Sequence, residues 1–141
     1  NVSIGTDGNT KNNSLDMFSE MKILGLLQKS SRWDPTVCNA QQLLDFATIN
    51  GAKAVGMQDK IGSIEVGKYA DIVILDGKAP NLRPLVPDNI VPNIVYSGNS
   101  LNVKTVLCQG DLVVDNSSVT TLDTDKVMDA SEDIWYSLCK R

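Results

Sequence analysis

The stretch from Ile61 to Asp76 constrains the chain most: Ile-Gly-Ser-Ile-Glu-Val-Gly-Lys-Tyr-Ala-Asp-Ile-Val-Ile-Leu-Asp. Gly62 and Gly67 bracket a short polar turn, and Ala70 to Leu75 is then almost wholly apolar. A run this short, bounded by turn signals and rich in β-branched residues, reads as a strand buried on both faces. Upstream of it the apolar residues recur at helical spacing. Downstream they fall mainly into short strand-like runs, with one final helix.

Upstream, Val2-Ser3-Ile4-Gly5 is a candidate strand ended by Thr6-Asp7-Gly8-Asn9. Asp and Asn bond to nearby backbone and Gly permits positive φ, so this is turn chemistry. By itself the tetrapeptide makes Asp7 a turn residue at a strand's C-terminal end. Leu15, Phe18, Met21, Leu24 and Leu27 then follow a helical period, with Asn13 or Ser14 as cap. Gly25 inside that helix costs roughly 1 kcal/mol against Ala, which points to close packing there. Ser30 to Pro35 reads as a connector, with Trp33 as a packing residue. Asn39 is placed to cap a second helix, and Gln42 to return the bond. Ala47 to Gly56 is expected to hold two helical pieces joined near Asn50-Gly51.

Downstream, Gly77 to Pro92 carries Pro80, Pro84, Pro87 and Pro92, so an irregular crossing is expected. A short helix fits Asn89 to Ser97. Val103 to Cys108 and Leu112 to Val114 form a hairpin around Gln109-Gly110-Asp111. Asn116 suits a left-handed turn before a short strand at Val119 to Thr121. Asp123 caps a last helix whose Val127, Ala130, Ile134 and Leu138 share one face, expected to make core or subunit contact.

Gly5-Thr6-Asp7-Gly8, then Asn12-Asn13-Ser14-Leu15-Asp16-Met17-Phe18 and Glu20-Met21, resembles the last barrel strand and loop of metal-dependent amidohydrolases that act on nucleosides and triazines. Ile61 to Asp76 resembles the point where those enzymes leave the barrel for a small β-sandwich. The resemblance runs from residue 2 to 139 and looks closest to the methylthioadenosine/S-adenosylhomocysteine deaminase branch, which also holds triazine chlorohydrolases. Asn93 departs from it, because the family often has His there.

The fold implied is α/β plus β. Residues 1–60 would supply the last strand and helices of a (β/α)8 barrel. Residues 61–141 would supply part of a β-sandwich, a connecting segment and a C-terminal helix. The activity implied is hydrolytic deamination of an adenine ring by an enzyme holding one divalent metal ion, zinc or iron, which makes water acidic enough to ionise near neutral pH. Asp7 is implied as both catalytic and metal-binding: it would hold the metal, accept the water's proton and pass it to the leaving amine. Histidine ligands and a Glu from earlier strands are implied as well, yet this chain has no histidine. One carboxylate cannot make a catalytic zinc site, which needs about three protein ligands. A barrel of roughly 250 residues upstream, and an inert, metal-free piece when alone, are therefore expected. Asn1 in place of Met supports the same expectation. The alternatives are another ring hydrolase of the superfamily (a chlorohydrolase or guanine deaminase) and a non-enzymatic β-sandwich assembly module.

The 141 residues carry a net charge of −4, which argues against nucleic acid or an acidic membrane surface as partner. No apolar run approaches the ~20 residues that span a bilayer. Cys38, Cys108 and Cys139 are far apart and odd in number, which fits a reducing cytosol better than a disulfide framework. P-loop, dinucleotide-binding, Ser-His-Asp and zinc-finger spacings are absent from the sequence. A nucleoside-like small molecule is the expected partner of the parent enzyme. Homo-oligomerisation or self-association is expected of the piece, because Val2 to Gly5 would lack strand neighbours.

Overall fold

Helix α1 (Met17–Arg32) begins where Asp16 takes extended backbone and its carboxylate accepts the Phe18 N–H at 2.9 Å. The other carboxylate oxygen accepts the Ser19 hydroxyl at 3.2 Å and the Ser100 N–H at 3.3 Å. Asp16, not Asn13 or Ser14, is thus the cap, because Ser14 is tied into the preceding loop through Asn12. In this computed structural model, which describes residues 1–140, α1 runs through Ser30, Ser31 and Arg32 of the expected connector and stops at left-handed Trp33. The Trp33 side chain is 92% exposed, so it neither packs nor lines a pocket.

Helix α2 (Ala40–Ala47) carries the expected capping box. Asn39 Oδ1 accepts the Gln42 N–H, and Gln42 Oε1 accepts the Asn39 N–H, both at 3.0 Å. Losing such a cap costs about 0.5–2 kcal/mol. Helix α3 (Ile49–Ala54) follows after a break at Thr48, whose hydroxyl bonds back to the Leu44 carbonyl. The join is therefore two residues earlier than expected, and Asn50-Gly51 lies inside α3. Residues 2–5 are not a strand. Ile4 donates its N–H to the Phe46 carbonyl, and among the described residues no strand runs beside this segment to form a ladder.

After Gly62 and Gly67, both with positive φ as the turn requires, the chain enters a four-stranded antiparallel sheet. Its strands are β1 (Ile72–Leu75), β2 (Val103–Cys108), β3 (Asp111–Asp115) and β4 (Ser118–Val119), in that spatial order. The expectation that Ala70 to Leu75 is buried on both faces fails. β1 is shorter, lies at the sheet edge with β2 on one side only, and leaves Val73 and Ile74 about half exposed. Two-residue turns join β2 to β3 and β3 to β4: Gln109-Gly110 and Asn116-Ser117 all have positive φ, as the hairpin turn type I′ demands. β1 is keyed to the first hairpin, since Asp71 Oδ1 accepts the Gln109 N–H at 2.7 Å.

Between β1 and β2 the proline-rich crossing makes single 3-10 turns at Pro80–Leu82 and Pro87–Asn89, then helix α4 (Ile90–Tyr96). Its free carbonyls are served by asparagine amides. Asn93 donates to the carbonyls of Leu82 and Pro84, and Asn89 to that of Pro84. Asn81 and the buried Asn102 bond reciprocally at 2.8 and 3.0 Å. α4 returns to pack on α1 and α2 around Met21, Leu43 and Val95. Helix α5 (Thr124–Cys139) is capped by Asp123 as expected. It buries no residue, however, and Ile134, Trp135 and Leu138 are each more than half exposed. The core contact expected of that face is not made within this chain.

Candidate active-site carboxylate

Asp7 lies at the end of the segment held to α2 through Ile4, in the left-handed conformation with φ 55°. A non-glycine residue takes this region seldom, and Asp more readily than most. The side chain is exposed, and its Oδ1 accepts the Gly8 N–H at 2.7 Å. The Thr6 carbonyl just before it accepts one amide hydrogen of Asn12, at 3.0 Å. The Asn12 amide also donates to the Glu20 carboxylate on the first turn of α1. Asn12 and Glu20 enter the sequence reading only as part of a motif. Their contacts around Thr6 close over a loop, and no periodicity signals them.

The carboxylate is accessible and has one oxygen not engaged by Gly8, which is what a single ligand position of a metal site needs. It does not make a site by itself. Among the described residues no group of three or more His, Cys, Asp and Glu side chains comes together where a metal could sit.

A cavity of about 810 Å³ separates the helices from the sheet, lined by apolar side chains including Met17, Met21, Leu44, Ile72, Val103 and Val106. Asp7 is not in its wall, and the cavity gathers no acid–base pair. Two carboxyls elsewhere are held below their ordinary range. Asp34 is held down by the Thr36 hydroxyl and N–H, and Glu65 by the Ser63 hydroxyl and then Lys68. Both are explained by turn bonding.

A family model described as the amidohydrolase family matches residues 1–113. The 5-methylthioadenosine/S-adenosylhomocysteine deaminase of Moorella thermoacetica is 42% identical over 127 residues, which are 90% of this chain and 29% of that protein. The 5'-deoxyadenosine deaminase of Methanobrevibacter smithii is 41% identical over 128 residues, 89% of this chain and 29% of that protein. The chain thus spans under a third of the length of these relatives. A zinc-bound adenosine deaminase structure from Xanthomonas campestris superposes with a TM-score of 0.92 at 34% identity, over 99% of this chain and 31% of that one. Zinc-bound atrazine chlorohydrolase from Arthrobacter aurescens shares the fold, with a TM-score of 0.79 at 20% identity over 94% of this chain and 29% of that one.

Proposed function

The chain belongs to the amidohydrolase family, and we propose that it forms the C-terminal part of a metal-dependent deaminase acting on adenine-ring nucleosides such as S-adenosylhomocysteine or methylthioadenosine. Residues 1–60 would complete a (β/α)8 barrel. Residues 61–141 would form part of a β-sandwich and its C-terminal helix. The observation that carries the reading is Asp7. It follows Gly5-Thr6 in a left-handed turn, with one carboxylate oxygen held by Gly8 and the other free for a ligand's work. The names and identities of the deaminase relatives support the substrate class. Apolar surface left bare on α1, where Ile23, Leu26 and Leu27 are each about half exposed or more, supports a larger assembly around it.

One divalent ion, zinc or iron, would supply Lewis acidity to the attacking water in the complete site. Asp7 would bind that ion with its free oxygen and take the proton the water gives up. It would then deliver the proton to the amino group as the C–N bond breaks and the new C–O bond remains. The products are the hydroxylated ring and ammonia. This chain alone supplies the proton carrier but not the remaining ligands, so alone it is expected to be inactive.

The test is ammonia release from S-adenosylhomocysteine, methylthioadenosine and 5'-deoxyadenosine. It compares the 141-residue chain with a protein of the relatives' length that contains it, loaded with zinc. The longer protein is expected to turn over at least one nucleoside, and the short chain none. Dechlorination of a triazine without any deamination would move the reading to the chlorohydrolase alternative. A coding sequence with no barrel upstream of Asn1 would end the enzyme reading.

A further inference from the structure

We infer that Asn12 is a positioning residue for Asp7: its side-chain amide pins the peptide plane that aims the carboxylate. The inference rests on the reading of Asp7 as metal ligand and proton carrier. The half-buried Asn12 spends both hydrogens of its amide nitrogen, one on the Thr6 carbonyl at 3.0 Å and one on the Glu20 carboxylate. Its Oδ1 accepts the Ser14 N–H at 3.1 Å, and its own N–H donates to the Gly8 carbonyl at 3.0 Å. One side chain thereby joins the segment before Asp7, the loop after it and the first turn of α1.

The Thr6 carbonyl shares a rigid plane with the Asp7 N–H. Holding this oxygen, while the Asn12 N–H holds the Gly8 carbonyl on the far side of Asp7, limits rotation about the Asp7 N–Cα bond and so holds φ at 55°. An L-residue stays in that region only when its surroundings over-determine it. Glu20 supplies the fixed end, because its own N–H is bonded to the Asp16 carbonyl inside the capped start of α1. The line of force runs from α1 through Glu20 and Asn12 to the Thr6 oxygen, and from there to the direction of the Asp7 side chain.

Two roles for Asn12 can be separated, tying the loop to α1 and holding the Thr6 oxygen. Asn12→Asp keeps the volume and the acceptor for Ser14 but removes both donors and faces Glu20 with a like charge. Glu20→Gln alone keeps an oxygen acceptor. With both changes, the new glutamine amide can donate to the new carboxylate, so the loop is tied again with the polarity reversed, while the Thr6 oxygen still lacks its donor.

The experiment uses the zinc-loaded enzyme of the relatives' length. Thermal midpoint, zinc affinity by chelator competition, and kcat and KM for methylthioadenosine are measured for each variant. Asn12→Asp is expected to lower zinc affinity and kcat by on the order of 10–100-fold, the scale set by groups that orient a metal ligand, with KM little changed. Glu20→Gln is expected to stay near wild type. The double variant is expected to recover the thermal midpoint while zinc affinity and kcat stay low. If Asn12→Asp does not fold, the double variant decides the comparison. Recovery of all three quantities in the double variant would overturn the proposal and leave Asn12 as a loop tie. Wild-type zinc affinity and kcat in Asn12→Asp would overturn it too. If Asp7→Asn itself leaves zinc affinity and kcat unchanged, the reading of Asp7 fails and takes the inference with it. If Asp7→Asn is inactive while Asn12→Asp is not, only the inference fails.

Discussion

Asp7→Asn is expected to all but abolish ammonia release from methylthioadenosine or S-adenosylhomocysteine in the enzyme of the relatives' length. Loss of a general base typically costs on the order of 10²–10⁴ in rate, and weaker metal binding adds to that. The substitution keeps size, and Asn is tolerated at a φ of 55° as readily as Asp. Asp7 is exposed, so the thermal midpoint of the metal-free protein should hardly move. Asp16→Asn is the matched control. It keeps an oxygen for the Phe18 N–H and loses a charge worth about 0.3–1 kcal/mol at a helix start. It also removes the oxygen that accepts the Ser19 hydroxyl and the Ser100 N–H, so some stability should go while most activity stays. Near wild-type deamination by Asp7→Asn at full metal occupancy would make Asp7 a turn residue and nothing more.

The second large effect is on stability. Leu43→Ala empties the centre of the α1–α2–α4 contact, where Leu43 is fully buried at 0% exposure, and should cost about 2–5 kcal/mol. A domain has only roughly 5–15 kcal/mol in all, so this is a large share. Gly25 provides an internal check. A Cβ there would lie 2.6 Å from Leu43 Cδ1 and 3.4 Å from the Tyr96 hydroxyl. Gly25→Ala gains about 1 kcal/mol of helix propensity but meets overpacking of about 1–3 kcal/mol, so alone it should be neutral to destabilising. In the Leu43→Ala background the nearest obstruction is gone and the propensity gain remains. Gly25→Ala should then stabilise, and urea unfolding of the four proteins should show strong non-additivity. Simple addition of the two effects would mean the α1–α2 contact is looser than a 2.6 Å approach to Leu43 Cδ1 implies.

Features that depend on a few neighbouring residues were readable from the sequence. The Asn39–Gln42 box, the Asp123 cap and the Gln109-Gly110 turn each need only residues close in the chain, and each is where its residues place it. The tight packing at Gly25 was also legible, because an interior glycine has a cost that only a close neighbour explains. Surroundings were not legible. An apolar run such as Ala70 to Leu75 looks alike at an edge and at a sheet centre, and only the strand order shows β1 with a single neighbour. Asn13, Ser14 and Asp16 can all cap a helix. Asp16 wins because the loop hub at Asn12 engages Ser14 and leaves Asp16 free to face α1. At the candidate site, the left-handed turn at Asp7 was legible from its turn residues, and its role is an expectation that the resemblance alone supplies. The contacts of Asn12 with Thr6 and Glu20 were not legible, because they exist only once the loop has closed.

The two successive two-residue turns have a consequence for the route by which the sheet is made. β2, β3 and β4 follow one another with almost no intervening chain, so their pairing closes loops of the smallest size and can form on the ~1–10 μs hairpin timescale. β1 must instead find β2 across residues 76–102, a longer closure with a larger entropic cost. The meander should therefore be native-like in the transition state and β1 should dock after it. Gly110→Ala, which forces a side chain onto a φ of 91°, should slow refolding in proportion to the stability it removes. Ile72→Val, on β1, should act mainly by speeding unfolding. Stopped-flow measurement showing that Ile72→Val slows refolding as much as Gly110→Ala would place β1 in the nucleus instead.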